Sequence, residues 1–325
     1  MLELSKIKVS PFSKVASWAF LSITPEYRTF RKLQKKNIDK KPTFEKLKSL
    51  PLKFVTIDDV KVRYAHGGQL DKPTILLLSP LPQSIVAFAA IWEKLAENYH
   101  VYALDLPGFG LSEGGKEYMT FEKQGVFLDK FIKHFKIQRP HIVGPDVGMA
   151  AALYYACNLP NEIESLIIGD GPGVKPSRNG SIIKKLVNST FWRKGFSILG
   201  SEVFVFAAMN IAYINYYPNQ EEVDDYIASY KNRISTSTEW FKNYPESLET
   251  VDSKIGKLEK PVLIFWGDHD KYLLPENAKE LQNRLKHSKT HIFEDCGHFS
   301  YQDKYDEFSE MILKWISNDY QSRIG

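Results

Sequence analysis

Short apolar runs alternate with amphipathic stretches along most of this chain, beginning near residue 53. The runs 54–57 and 60–65, split by Asp58-Asp59, predict an antiparallel hairpin. Thr74–Leu78 is apolar almost throughout, as in a strand buried on both faces. A helix over 85–98, a strand over 100–105 and a helix over 120–135 follow. The last keeps Phe121, Phe127, Leu128, Phe131, Ile132 and Phe135 at helical spacing, which marks them as core. Next come an apolar run into Gly144, a small-residue helix and a strand over 165–170. Such alternation predicts an α/β fold, a mainly parallel sheet with helices on both faces.

After Asp170 the alternation stops. From 171 to 251 the pattern is helical and rich in Phe, Trp and Tyr, interrupted by Pro218 and Pro245, so a helical cap is expected there. A strand over 261–267, a helix over 275–285, a strand over 291–294 and a terminal helix carrying Phe308, Met311, Ile312 and Trp315 resume the first pattern. The expected division is therefore a core over 51–170 and 252–325, with the cap over 171–251.

Residues 1–50 differ from both. Lys6, Lys8, Lys14, Arg28, Arg31, Lys32, Lys35, Lys36, Lys40 and Lys41 surround the apolar run 15–23. That run is too short to span a bilayer, and without a small-x-small cleavage site before Pro25 it makes a poor signal peptide. Burying Val15, Trp18, Phe20, Leu21 and Ile23 on the main domain recovers roughly 25 cal/mol per Å² without any membrane. The arm is therefore expected to dock on that domain. Contact with an anionic membrane is physically reachable but not favoured.

A net charge of +4 gives no reason to invoke nucleic acid. Two cysteines, Cys157 and Cys296, make a disulfide framework an unattractive reading, and a cytoplasmic location fits them. The sequons at Asn179 and Asn188 then read as chance. No pattern calls for a metal or another cofactor.

The candidate chemistry begins at Gly144-Pro145-Asp146-Val147-Gly148, between an apolar run and a small-residue helix. Glycines on either side of an acid at a strand-to-helix junction suit a sharp, strained turn that presents the acid at the carboxyl end of the sheet. An inert helix N-cap is the plain alternative for Asp146. Further along stand Trp266-Gly267-Asp268-His269-Asp270 and Asp295-Cys296-Gly297-His298-Phe299, giving the chain order acid, acid, histidine. With Asp105-Leu106-Pro107-Gly108-Phe109-Gly110-Leu111-Ser112, these motifs resemble the α/β-hydrolase superfamily from about Phe54 to the last helix. Within it, they resemble the Asp-nucleophile branch that contains epoxide hydrolases and haloalkane dehalogenases.

That resemblance implies Asp146 as nucleophile, Asp270 as triad acid and His298 as base, with Leu81 and Val147 supplying oxyanion-hole N–H groups. Asp268 and Asp170 are the rival acids. An ionised carboxylate would attack a saturated carbon of a small apolar organic substrate and form an alkyl ester, which a His298-activated water hydrolyses. Two departures stand out: Ser79-Pro80 replaces the usual His-Gly, and Val147 replaces the usual Trp. The missing Trp weakens dehalogenation most. Tyrosines that could protonate an epoxide oxygen are plentiful in the cap, at Tyr213, Tyr216, Tyr217, Tyr226, Tyr230 and Tyr244. Epoxide hydrolysis is therefore expected ahead of dehalogenation. A non-catalytic binding protein of the same fold is the alternative from another class, and no serine stands in an equivalent setting for a conventional esterase.

Overall fold

The computed structural model describes residues 7–34, 42–175 and 178–317; the arm's Lys6, Lys35, Lys36, Lys40 and Lys41 lie outside them. Eight strands form one sheet: β1 Leu52–Ile57, β2 Val60–Gly68, β3 Thr74–Leu78, β4 His100–Leu104, β5 His141–Pro145, β6 Ser165–Gly169, β7 Val262–Gly267 and β8 Ser288–Phe293. Their spatial order is β1-β2-β4-β3-β5-β6-β7-β8. The hairpin β1-β2 and the pair β2-β4 are antiparallel, and every other pair is parallel. Strands β3, β5, β6 and β7 are buried at every position, as their unbroken apolar runs require of strands covered on both faces.

The helices in chain order are α1 Pro11–Ser22, α2 Pro25–Gln34, α3 Ala89–Ala96, α4 Phe121–His134, α5 Val147–Asn158, α6 Ser181–Asn188, α7 Thr190–Leu199, α8 Ser201–Met209, α9 Gln220–Tyr230, α10 Ile234–Ser237, α11 Glu239–Asp252, α12 Glu276–Arg284, α13 Ser300–Asp303 and α14 Tyr305–Ser317. The expected helix over 85–98 begins as a 3₁₀ turn, Ile85–Phe88, capped by the Ser84 hydroxyl. Between β6 and β7 the chain is helical, α6 to α11, with no strand among the described residues. Pro218 precedes α9 as a break should, but Pro245 lies inside α11, where it removes one helical N–H without ending the helix.

The arm docks, but on the helical insertion rather than on the main domain expected, and not through the face its hydropathy suggests. Helix α1 packs against α8 through Ser13, Ser17 and Leu21, leaving Val15, Trp18 and Ile23 more than half exposed and Phe20 partly buried. Small serines let the helices approach closely and supply hydroxyls that α8 can use. Ser10 and Ser13 donate to Glu202 at 2.6 and 2.5 Å, and Ser17 donates to the Val203 carbonyl at 3.2 Å. Satisfying a partly buried carboxylate therefore set the orientation, and the large apolar side chains were left outside. No helix among the described residues is long and apolar enough to cross a membrane.

Candidate active site

Four loops at the carboxyl ends of parallel strands converge on one point, where sheets of this kind gather their chemistry. The loop after β3 brings Leu81, the turn after β5 brings Asp146, the loop after β7 brings Asp270, and the loop after β8 brings His298. Asp146 sits at φ 48°, ψ −128°, a strained backbone for a residue with a Cβ. Its two neighbouring glycines make that turn possible. A Cβ on Gly144 would stand 2.8 Å from the Gly148 carbonyl oxygen, and one on Gly148 would stand 2.9 Å from Leu78 Cβ.

The Leu81 N–H donates to Asp146 Oδ1 at 2.7 Å, while Asp146 Oδ2 lies 3.2 Å from His298 Nε2. The other imidazole nitrogen, Nδ1, is 2.8 Å from Asp270 Oδ2. Asp270 Oδ1 accepts the N–H groups of Tyr272 and Leu273 at 2.8 and 3.0 Å, which fixes the carboxylate toward the ring. Asp146, Asp270 and His298 thus form one continuous chain of contacts, with Leu81 at its head. Val147, at the start of α5, lines the same pocket.

The two rival acids are occupied elsewhere. Asp268 accepts the backbone N–H groups of Asp295 and Cys296 at 3.1 and 2.9 Å, bracing the loop that carries His298. Asp170 accepts the Gly267 N–H at 3.0 Å and has Ser300 Oγ at 2.5 Å, with no hydrogen bond to His298. Burial pushes the Asp170 carboxyl well above the usual range, and the nearby Asp270 adds to that push. Cys296 is buried, and burial holds its thiol high, which disfavours the thiolate.

Burial opposes a charged His298, yet Asp270 and Asp146 together outweigh it and raise the imidazole well above its ordinary value. One of those two charges sits on Asp146, so neutralising that carboxyl would let the imidazole fall back toward its ordinary value.

The pocket around this cluster is apolar. Leu81, Pro82, Ile182, Ile183, Leu186, Phe204, Trp240 and Phe241 line it, and Phe20 closes one side. Phe20 comes from the arm, which periodicity alone gave no reason to connect with the site. Of the six cap tyrosines only Tyr244 lines the pocket, joined by Tyr272 from the loop after β7. Both hydroxyls donate to backbone carbonyls, Tyr244 to Val174 at 2.5 Å and Tyr272 to Ala208 at 3.0 Å. Tyr213, Tyr216, Tyr226 and Tyr230 are buried away from it, in a hydrogen-bonded layer beneath the cap. Tyr217 is buried as well and does not line the pocket.

A family model described as the alpha/beta hydrolase fold matches residues 73–305. The chain belongs to the α/β-hydrolase family. Among curated relatives, an uncharacterized hydrolase, YugF, of Bacillus subtilis is 23% identical over 269 residues, covering 82% of this hydrolase-family chain and 98% of the relative. A 2-hydroxy-6-oxononadienedioate/2-hydroxy-6-oxononatrienedioate hydrolase of Cupriavidus pinatubonensis is 23% identical over 69% of this chain and 78% of its own length. Among solved structures, the haloalkane dehalogenase DbeA from Bradyrhizobium elkani superimposes with a TM-score of 0.71 at 21% identity, covering 83% of this chain and 98% of that one. At that identity the likeness speaks for the α/β-hydrolase fold alone.

Proposed function

We propose that this α/β-hydrolase cleaves a carbon–leaving-group bond in a small apolar molecule through an alkyl ester on Asp146. The observation that carries this reading is the division of labour on one carboxylate, with Oδ1 held by the Leu81 N–H and Oδ2 turned to His298 in an apolar pocket. Oδ2 attacks the saturated carbon, the leaving group departs with the bonding pair, and Oδ1 becomes the ester carbonyl oxygen. His298 then takes a proton from water as its oxygen adds to the Asp146 carboxyl carbon. The Leu81 N–H, already in place, stabilises the oxyanion on Oδ1, and the Val147 N–H is the expected second donor. Collapse of that intermediate breaks the ester C–O bond, His298 returns its proton to the departing oxygen to give the alcohol, and the acid left on Asp146 loses a proton to solvent to restore the carboxylate. Asp270 keeps Nε2 directed at the water and balances the imidazolium.

The pocket lining favours halide as leaving group over an epoxide oxygen, reversing the order that a count of tyrosines suggests. Tyr244 and Tyr272 have their protons engaged with carbonyls, whereas the Trp240 indole N–H makes no hydrogen bond among the described residues. An N–H donor suits a departing halide. Epoxide opening remains the second reading, because both phenols border the pocket and either could exchange its carbonyl for an epoxide oxygen.

The test is to incubate His298→Gln with chloroalkanes, bromoalkanes and epoxides, then seek an adduct on Asp146 by mass spectrometry. An alkyl adduct with stoichiometric halide release supports dehalogenation. An adduct formed from epoxides alone, and weakened in Tyr244→Phe or Tyr272→Phe, makes the second reading the right one. Absence of any adduct, together with absence of turnover by the unmodified enzyme, points instead to a binding protein on a hydrolase fold.

A further inference from the structure

The largest exposed apolar side chains of the arm and of the cap lie on two neighbouring helices beside the pocket. Phe12, Val15 and Trp18 on α1 and Ile23 at its C-cap face solvent, and on α7 Phe191 and Ile198 do the same; all six are between 56% and 84% exposed. The helices touch through Phe20, whose ring packs edge-on against Trp192 at 5.2 Å and Phe196 at 4.5 Å, while Phe191 packs against Trp192 at 6.0 Å. Phe20 and Phe196 also line the pocket. A continuous aromatic path thus connects the outward faces with the site.

The unpaired charge on this side is basic, since the nearby Glu239 is ion-paired with Lys242. Lys194 lies between Phe191 and Ile198 at helical spacing, Lys184 is exposed on α6, and Lys185 Nζ stands 5.0 Å over the Trp192 ring. Two acids of the same region are turned inward. Glu26 accepts the Ser181 N–H and hydroxyl at 2.6 Å each, and Glu202 is taken by Ser10 and Ser13. An apolar face with Trp and Phe at its centre and lysines around it matches what an anionic lipid surface accepts: apolar rings at the acyl boundary and ammonium groups among the phosphates.

We propose that the outward faces of α1 and α7 rest on an anionic membrane leaflet and set the mouth of the pocket against it. Binding to the leaflet is independent of the bond that Asp146 attacks. That apolar molecules dissolved in the leaflet pass along Phe20 to Asp146 rests on the function proposed above.

The full chain, without substrate, should sediment with phosphatidylcholine vesicles containing phosphatidylglycerol. It should do so much less with phosphatidylcholine alone, and less again in about 0.5 M salt. Trp18→Asp combined with Ile198→Asp should weaken binding tenfold or more, and Lys184→Gln with Lys194→Gln by about tenfold on anionic vesicles only. Melting temperatures of these surface variants should stay close to that of the unaltered protein, so lost binding reads as a lost surface and not as unfolding. The proposal is overturned if no vesicle is bound, or if the variants bind as the unaltered protein does. It is equally overturned if sedimentation in solution reveals a dimer that Trp18→Asp dissociates, since a second copy of this chain would then own the patch. Because binding is read without chemistry, its failure leaves the Asp146 mechanism standing, and the reverse also holds.

Discussion

The underside of the cap has two halves built from similar residues for opposite ends. Over Asp146 it presents Ile182, Ile183, Leu186, Phe204 and Trp240, with few polar groups and those turned aside. Over the loops after β3 and β4 it presents tyrosines and acids, largely hydrogen-bonded. Gln83 donates to Tyr213 at 2.6 Å, Tyr213 to Gln302 at 2.5 Å, Tyr301 to Gln83 at 2.5 Å, and Tyr230 to the Gln83 carbonyl at 2.7 Å. Beside them buried Arg63 donates to Asp105 and, bidentately, to Asp225 of α9. One half leaves room for a guest and the other fastens the lid. A buried tyrosine is therefore informative only once the destination of its hydroxyl is known.

If the halves are separate in function, substitutions should divide into those that stop turnover and those that loosen the cap. Asp146→Asn should lower kcat on any accepted substrate by on the order of 10⁴-fold, since both steps of the proposed reaction need this carboxyl. Its melting temperature should change little. Retention of most turnover would move the chemistry away from Asp146.

On the other side, Arg63→Met strands Asp105 and uncouples Asp225, so chemical denaturation should reveal a loss of about 3–5 kcal/mol. Denaturation within error of the unaltered protein would mean that this network does not hold the cap.

A pH series sharpens the same half. Burial raises the Glu222 carboxyl from 4.5 to about 7. A carboxyl raised on folding contributes stability that is fully present below its unfolded value and is lost as pH rises through the folded one. Stability should therefore fall between pH 4.5 and about 7, by roughly 3 kcal/mol if this group acts alone. Glu222→Gln, which mimics the neutral carboxyl, should flatten that slope in urea titrations taken at several pH values.

The smallest effect belongs to Tyr213→Phe. Removing one hydroxyl from the fastening half should cost about 1–2 kcal/mol in unfolding free energy and leave kcat within a few-fold. A collapse of kcat with stability intact would instead assign Tyr213 to the chemistry and blur the two halves.

The sheet and the convergence of Asp146, Asp270 and His298 were legible in the sequence, because buried parallel strands leave unbroken apolar runs and the site motifs stand directly after them. The resemblance had already placed Asp270 ahead of Asp268, and the hydrogen bonds supply the physical reason. Both are acids in one short loop, and only the hydrogen bonds to Asp295 and Cys296 reveal that Asp268 faces the other way. The insertion's tyrosines were legible as a group but not singly, since the sequence does not say that Tyr244 borders the pocket while Tyr213 and Tyr230 pack away from it. The arm was misread by hydropathy itself. Ser13 and Ser17 count as outward residues on any scale, yet Glu202 and the Val203 carbonyl on α8 made them the better inner face.

The helical insertion leaves the sheet after β6 and returns at β7, and these two strands are hydrogen-bonded neighbours. Its ends are thus held by a pairing that the sheet makes without it. Loop closure grows only slowly more costly with length, so the sheet tolerates a longer, shorter or different insertion at little thermodynamic cost. Asp146, Asp270 and His298 all hang from the sheet, while the walls that select the guest hang largely from the insertion. Under the proposed function, the architecture separates inheritance of a reaction from choice of a substrate, and a lineage could exchange the latter by recombination between β6 and β7 without relearning the former.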